Sequence, residues 1–324
     1  MKHPCAFCRQ AGIALILVLW IITLLSVIAL SFIATMRSEI NIVSNTLNRA
    51  KAEAAANAGV QRALFELMKP ATTDARWLAD GAIHPWQYQD AALTIRMIDE
   101  TARLDINTAS PELLSGLFLS QGLTQAESAA LIDAIADWKD ADNLVRLNGA
   151  EAPQYLSAGL PYQPSNSAFQ STEEINRVIG MTPELYARIA PLITVYSRQP
   201  GVNAQIASRE VLQAIPNATA EQVETYLQQR DTARASGAAV PNFTAGAAYL
   251  SIGGGFVIRV QATASLPDGT RFTREAAVRP LGNPRRPFAS LLWREARDEA
   301  LDGLTRAAGP SRVGSASQEM AADR

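Results

Sequence analysis

The residue types best suited to chemistry lie in the stretch DAIADWKDADNLVRLNGAEAPQY, residues 133–155. Asp137, Asp140 and Asp142 place three carboxylates within six residues, and Glu151 adds a fourth carboxylate after an Asn-Gly turn. Calcium binds six to eight oxygen ligands of this kind, and a glycine commonly turns such a loop. The stretch therefore indicates a candidate calcium site.

Two interpretations of this stretch remain open. The spacing is not that of an EF-hand, because the D-x-D-x-D-G pattern and the glutamate at its twelfth position are absent. A solvated acidic helix end has the same composition. However, Asp133, Asp137 and Asp140 fall on one face of a helix, where like charges repel each other unless a cation relieves them.

Other reactive groups are few in the 324 residues, which carry a net charge of −2. The two histidines are His3 and His84, and the two cysteines lie at positions 5 and 8 without the second ligand pair of a structural zinc site. We find no nucleophile elbow and no phosphate-binding loop. The Gly253-Gly254-Gly255 run lies between predicted strands rather than before a helix. We therefore expect a structural protein and no enzyme.

The elements that must position the acidic stretch begin with an apolar segment. The 22 residues 13–34 contain no charge and are long enough to cross the ~30 Å hydrocarbon core of a bilayer. Lys2 and Arg9 precede them, which holds the short flank in the cytoplasm. We expect a single-pass inner-membrane protein with its C-terminal bulk in the periplasm.

The helical pattern continues beyond the membrane segment. Apolar residues recur at helical spacing from Ile40 to Leu64, and Pro70 is the first firm helix breaker. One helix over residues 13–68 would be about 84 Å long, half in lipid and half amphipathic.

A short basic leader that ends in glycine, followed by such a helix, resembles the type IV pilins and pseudopilins. The resemblance implies that a prepilin peptidase cuts after Gly12 and that the new N-terminal residue, Ile13, is methylated. Most members carry a glutamate at the fifth mature position, whereas this sequence has Leu17. In the family that carboxylate offsets the amine of a neighbouring subunit in lipid, so a subunit that never sits beneath another does not need it. An uncleaved anchor with a coincidental glycine is the alternative.

Strand patterns flank a long helical region. Residues 75–90 have the composition of a loop, whereas Ala92–Ile98 and Ala102–Ile106 alternate around an acidic turn and predict a hairpin. Helix-capping patterns, among them Ser110-Pro111 and Thr124, then run to about residue 234. After them AAYLSI (residues 247–252) indicates a strand. Asp268-Gly269 predicts a second hairpin, and a last strand is expected near 287–293.

A repeat within the helical region raises a nucleic-acid alternative. LDINTASPELLSGL (residues 104–117) is echoed by VNAQIASREVLQAI (residues 202–215), and both resemble helix-hairpin-helix modules, many of which bind DNA. Residues 101–235 contain 9 basic and 15 acidic side chains, net −6, which opposes binding to phosphates. The alternative function is therefore a membrane-anchored DNA-binding protein of a competence-type pilus, and we expect no nucleic acid.

The chain resembles the K-type minor pseudopilins of type II secretion systems in the order and spacing of several segments. These are DW-x-D-x-D-N, R-x-N-G-A-E, PYQPSNSAF, STEEINRVIGMTPELYARIAP and a late WRE. This resemblance implies an α+β pseudopilin fold, with a long N-terminal hydrophobic helix packed on an antiparallel sheet and a large inserted α-helical domain. It also implies one or two calcium ions, with ligands Asp137, Asp140, Asp142, Glu151 and Asn166.

The same resemblance implies a position at the pseudopilus tip, above I-type and J-type minor pseudopilins bound through the N-terminal helices. There the subunit would initiate assembly and limit fibre length during export of folded periplasmic proteins, with possible contacts to cargo. The expected division is a leader (1–12), a membrane segment (13–34), a pseudopilin domain in two parts (35–106 and 244–295), an inserted α-domain (107–243) and a flexible tail (296–324).

Overall fold

The computed structural model describes residues 11–70, 72, 76–251, 253–283 and 285–296. A single helix, α1, runs from Ala11 to Met68, which confirms the prediction of one uninterrupted helix through the apolar segment and beyond it. The helix ends just before Pro70, which cannot donate the next backbone hydrogen bond.

A five-stranded antiparallel sheet covers the C-terminal half of α1. Its strand order is β1-β2-β5-β6-β7, so the sheet begins and ends with strands that are distant in sequence. The strands are β1 (Asp80–Tyr88), β2 (Ala91–Asp99), β5 (Ile258–Ser265), β6 (Arg271–Asn283) and β7 (Arg286–Glu295).

Small side chains bring α1 close to one face of this sheet. Ala52, Ala56 and Val60 are fully buried against the alternating apolar residues of β2 and β5. A Cβ atom added at Gly59 would lie 2.8 Å from the Leu93 side chain, so the helix and the sheet meet most closely there. This contact forms the first hydrophobic core.

The residues between β2 and β5 are mainly helical and have a second core of their own. Trp138, Tyr155 and Phe118 are its largest fully buried side chains. Its elements are β3 (Leu104–Asp105), α2 (Pro111–Ser120), α3 (Gln125–Lys139), α4 (Ala152–Ser157), the 3₁₀ segment Thr172–Arg177, α5 (Pro183–Ile189), β4 (Ile193–Thr194), α6 (Arg209–Gln213) and α7 (Ala220–Ser236).

Ion pairs, some of them buried, connect the second face of the sheet to this helical region. Arg259 on β5 pairs with Glu100, in the 3₁₀ turn after β2, and its Nη1 lies 2.5 Å from Glu275 on β6. Arg294 on β7 donates to the other oxygen of Glu275 at 2.7 Å and also pairs with Glu173 of the helical region. Burial disfavours the charged form of Glu275, but the two arginines outweigh it and lower its pKa to about 2.

The predicted hairpin of Ala92–Ile98 with Ala102–Ile106 is wrong. Asp99 caps a 3₁₀ turn at Glu100–Ala102, and the chain then enters the helical region, where β3 pairs in parallel with β4. The actual hairpin partner of β2 is β1, in the stretch expected to be a loop. Pro85 weakened the strand pattern there, but an edge strand tolerates a proline.

The later strand predictions had mixed outcomes. The hairpin around Asp268-Gly269 is confirmed as β5 and β6, and the last strand is confirmed as β7. The strand expected at AAYLSI is wrong, because residues 247–249 form a 3₁₀ turn and Leu250 makes an isolated bridge to Val202.

The α+β fold class is confirmed, while the domain boundaries stay predictions. Residues 1–10 of the predicted leader and residues 297–324 of the predicted tail lie outside the described residues.

The ion-pair network predicts a pH-dependent effect of Glu275→Gln. The pKa of Glu275 is about 2 in the folded chain against 4.5 without perturbation, so the carboxylate stabilises fully above pH 4.5, and that stabilisation is lost as pH falls through about 2. We expect the variant to lose about 3 kcal/mol of unfolding free energy at pH 7, with the deficit shrinking below pH 4.5. Urea unfolding of the detergent-solubilised chain at several pH values measures this difference.

The matched control is Glu224→Gln, which breaks the exposed pair between Glu224 and Arg209. Surface pairs contribute little, so a loss below about 1 kcal/mol is expected. Equal losses in the two variants would contradict the role assigned to the buried network.

Candidate functional site

The C-terminal end of α3 holds the acidic stretch in place. Thr124 and Glu127 form a capping box at its start, and buried Trp138 stacks on Phe169 and contacts Tyr155 near its end. This aromatic packing fixes the last turn of α3, so Asp137 is fully buried.

Two aspartates of α3 fasten the following loop to the helix. The backbone N–H of Arg146 donates to Oδ2 of Asp137 at 3.2 Å, and that of Asn148 donates to Oδ2 of Asp133 at 3.1 Å. A Cβ atom on Gly149 would overlap Asp137, so the loop can pass there only as glycine. Asp133 therefore anchors the loop, a role that its helical spacing did not indicate.

Three of the predicted ligands converge. Asp140, Asp142 and Glu151 each offer a carboxylate oxygen, and the three oxygens lie within 4.8 Å of one another. Glu151 is buried, Asp140 is half-buried and Asp142 is exposed, so the cluster opens to solvent on one side.

Several oxygens around this cluster lack hydrogen-bond donors. Buried oxygens of Asp137, Asp140, Glu151 and Asn166 accept no hydrogen bond, although that of Asp137 has an ion-pair partner in Arg146. Buried polar atoms without partners are rare, so the other three call for a missing donor or cation. Asn166 adopts a left-handed φ of 48°, with its N–H donating to the carbonyl of Trp138.

The negative charges of the cluster also repel one another. Burial, together with the charges of Asp137, Asp140 and Asp142, raises the pKa of Glu151. Burial likewise raises the pKa of Asp137, although hydrogen bonding to the Arg146 backbone counteracts it. A bound cation would relieve both effects, so the donor set fits a calcium ion.

Arg146 is the residue of this site that the sequence did not single out. Its guanidinium Nε lies 3.2 Å from Oδ1 of Asp137, and its Nη2 lies 3.4 Å from Oδ2 of Asp140. It neutralises part of the charge from one side and leaves Asp142 and Glu151 without a cationic partner among the residues that the structure describes. Arg146 is the one basic residue between Asp140 and Glu151, and that was the available signal.

A second candidate site is the N-terminal half of α1. From Leu15 to Ile33 its apolar side chains are exposed, and an 18-residue window reaches a mean hydropathy of 2.8. Leu17 is 56% exposed in this stretch. Gly12 and Ile13 lie in the first turn of the same helix. By length and composition, this part of the helix can cross a membrane.

The exposed apolar surface of α1 continues past the membrane-length segment. Ile40, Ile42, Val43 and Leu47 are all more than half exposed, and they precede the residues that pack on the sheet. Such a surface on a single chain is typical of a site where another helix binds.

The helical region contains the geometry of a helix-hairpin-helix but not its usual charge. Helices α2 and α3 are joined by a short turn in which Gly122 has a φ of 91°. Ser110 and Ser208 cap the two repeated helices, α2 and α6. With a net charge of −6 over residues 101–235, the DNA-binding alternative is not favoured.

Comparison with known proteins supports the resemblance found in the sequence. A family model described as "Type II secretion system (T2SS), protein K" matches residues 91–198. Among curated proteins, the putative type II secretion system protein K of Escherichia coli K12 is 26% identical over 205 residues, covering 58% of this chain and 63% of that protein. The protein K of Aeromonas hydrophila is 29% identical over 211 residues, covering 57% and 63%.

The resemblance to the K family of type II secretion systems is confirmed. The fold agrees with it, since the chain matches a chain of the crystal structure of the GspK-GspI-GspJ complex from enterotoxigenic Escherichia coli with a TM-score of 0.54. That match has 16% sequence identity and covers 81% of this chain and 99% of the other. The chain spans 63% of the length of the first two K-family relatives.

Proposed function

We propose that this protein is a minor pseudopilin of a type II secretion system that sits at the tip of the pseudopilus. The observation that carries this proposal is the division of α1. The part of the helix up to Leu47 exposes apolar side chains, while the side chains buried under the sheet begin at Ala52. The first part can then pack in the membrane and against other helices, while the second holds a rigid domain above them.

The tip position rests on Leu17. An unpaired charge in lipid is costly, so a subunit lying beneath another one needs a carboxylate to offset the amine of its neighbour. Leu17 offers none. The large helical region between β2 and β5 adds bulk to the domain, which suits a subunit that starts assembly and limits growth of the fibre.

Processing and orientation follow from the same proposal. Cleavage after Gly12 would leave Ile13 as a methylated N-terminal residue, and the positive leader would keep that end in the cytoplasm. The sheet and the helical region would then lie in the periplasm. The protein would act by assembly and would catalyse no reaction.

The proposal predicts a defect in both export and fibre length. We expect a deletion strain of the source bacterium to lose export of folded periplasmic proteins and, when the major pseudopilin is overproduced, to form longer pseudopili than wild type. The chain supplied on a plasmid should restore both. Enzyme assays of culture supernatant and electron microscopy of sheared fibres measure the two effects. Unchanged export together with unchanged fibre length would contradict the proposal.

The partners would be I-type and J-type minor pseudopilins, bound along the exposed part of α1. The complex named for the structural relative contains these types. The only cysteines, at positions 5 and 8, lie in the leader, so a single introduced cysteine is unique after processing. We expect Ile42→Cys, at a site 62% exposed, to form a disulfide with a matched cysteine on a partner helix. Non-reducing electrophoresis of membranes detects the product.

The control for this crosslink is Ala56→Cys, which lies on the same helix but is fully buried against the sheet. It should form no product with the partner cysteine. Equal crosslinking at both positions would mean that the exposed surface of α1 is not the binding surface.

We also propose that the acidic loop binds calcium through Asp137, Asp140, Asp142, Glu151 and Asn166. The support is the convergence of three carboxylates and the buried oxygens without donors. The ion would hold the loop after α3 against α4, and its role would be structural.

The calcium proposal predicts a stabilisation that chelation removes. At a calcium concentration of 100 Kd, binding contributes about 2.7 kcal/mol, so EDTA should lower the melting temperature by several degrees. Asp140→Asn should lower calcium affinity and reduce the EDTA effect, whereas Glu221→Gln, at an exposed position of α7, should keep it. Differential scanning fluorimetry of the detergent-solubilised chain measures these shifts. A midpoint that EDTA leaves unchanged in the wild type would contradict the site.

A further inference from the structure

A cavity of about 540 Å³ lies between the second face of the sheet and the helical region. Arg96 and Ile98 of β2 line it on the sheet side, and Tyr186, Leu192 and Val211 line it on the helical side. This volume is in the range of sites that bind small molecules. Nothing in the proposed pseudopilin function uses it.

The side chain of Arg103 lines this cavity without a partner. Arg103 is 91% buried, yet its guanidinium makes no hydrogen bond or ion pair with any of the described residues. Its backbone N–H is satisfied by the carbonyl of Glu100 at 3.2 Å. A guanidinium carries five N–H donors, and those of Arg103 face the cavity instead of an acceptor among the described residues.

The charge of Arg103 persists at neutral pH. Burial, and then the nearby charge of Arg259, lower the pKa of Arg103 to about 10, which is still well above 7. Arg259 itself is already paired with Glu100 and Glu275. Both glutamates also attract the charge of Arg103 and counteract part of this lowering. Neither forms an ion pair or a hydrogen bond with it, so the guanidinium of Arg103 keeps unused donors.

Two further arginines of the cavity also have donors to spare. Arg96 donates one hydrogen bond, from Nε to the carbonyl of Gly81 at 2.8 Å. Arg188, at the exposed rim, donates one at 3.4 Å to the carbonyl of Gln121. Neither forms an ion pair with a carboxylate among the described residues.

We propose that this cavity binds a small organic oxyanion, a carboxylate or phosphate compound of a few carbon atoms, with its charge on Arg103. Arginine forks bind such planar or tetrahedral anions through paired charge-assisted hydrogen bonds. The apolar side chains of Ile98, Leu192 and Val211 form an apolar surface against which the carbon atoms of the ligand can pack. An anion bound there would join the sheet to the helical region.

The test is isothermal titration calorimetry on the detergent-solubilised chain, in calcium and at fixed ionic strength, with succinate as the probe. We expect one saturable site for succinate. Inorganic sulfate should bind more weakly, because it leaves the apolar wall uncovered, and neutral succinamide should give no binding. Arg103→Met should weaken succinate binding at least about tenfold, since it removes the charge and the fork.

Two surface variants keep the test decisive if Arg103→Met fails to fold. Arg188→Gln, at the rim, should weaken succinate binding about threefold, by removal of one exposed cation. Arg177→Gln, on an exposed arginine outside the cavity, should bind as the wild type does. The proposal is overturned if succinate shows no saturable binding, or if Arg188→Gln and every folded Arg103 variant bind it with wild-type affinity. Sulfate binding as tight as that of succinate would overturn the organic character of the ligand.

Discussion

The ion pairs of Arg259 hold the two cores of this protein in one arrangement. Arg259 lies on a central strand, and its partners Glu100 and Glu275 come from the entrance to the helical region and from the next strand. Arg294 extends the chain of charges to Glu173 within the helical region. Arg259 and Glu100 are buried and Glu275 is nearly so, and a buried charge without its partner is strongly destabilising. The turn after β2, β5 and β6 must therefore come together for these charges to be buried.

The sheet depends on this arrangement because its two faces are chemically different. One face carries alanines and β-branched residues and packs on α1, where Gly59 permits close approach. The other face carries arginines and glutamates and would be exposed without the helical region. The helical insertion therefore covers a charged surface rather than an apolar one, and the cavity beside Arg103 lies where that covering is incomplete.

The long helix and the acidic loop contribute to function in different ways. The helix presents apolar side chains over more than half of its length, which suits assembly in a membrane. The acidic loop lies at the far end of α3, where Asp137 and Asp133 tie it to the helix and the remaining carboxylates converge. A cation in this loop would stiffen a domain that must stand on a single helix.

The sequence alone determined the features that depend on neighbouring residues. Apolar spacing defined α1, the Asp268-Gly269 turn defined the hairpin of β5 and β6, and Ser110 and Thr124 marked the starts of helices. These signals are local because capping, turn conformation and helical periodicity involve residues within a few positions of each other.

Only the tertiary structure decided the pairings between distant segments. The partner of β2 is an edge strand with a proline, and β3 pairs with a strand about 90 residues away, so neither pairing had a local pattern. The acidic residues were visible in the sequence, but their convergence depends on the aromatic packing around Trp138. Arg103 forms no ion pair because Glu100 and Glu275 pair with Arg259 instead. This competition between the two arginines exists only once the sheet and the helical region are folded together.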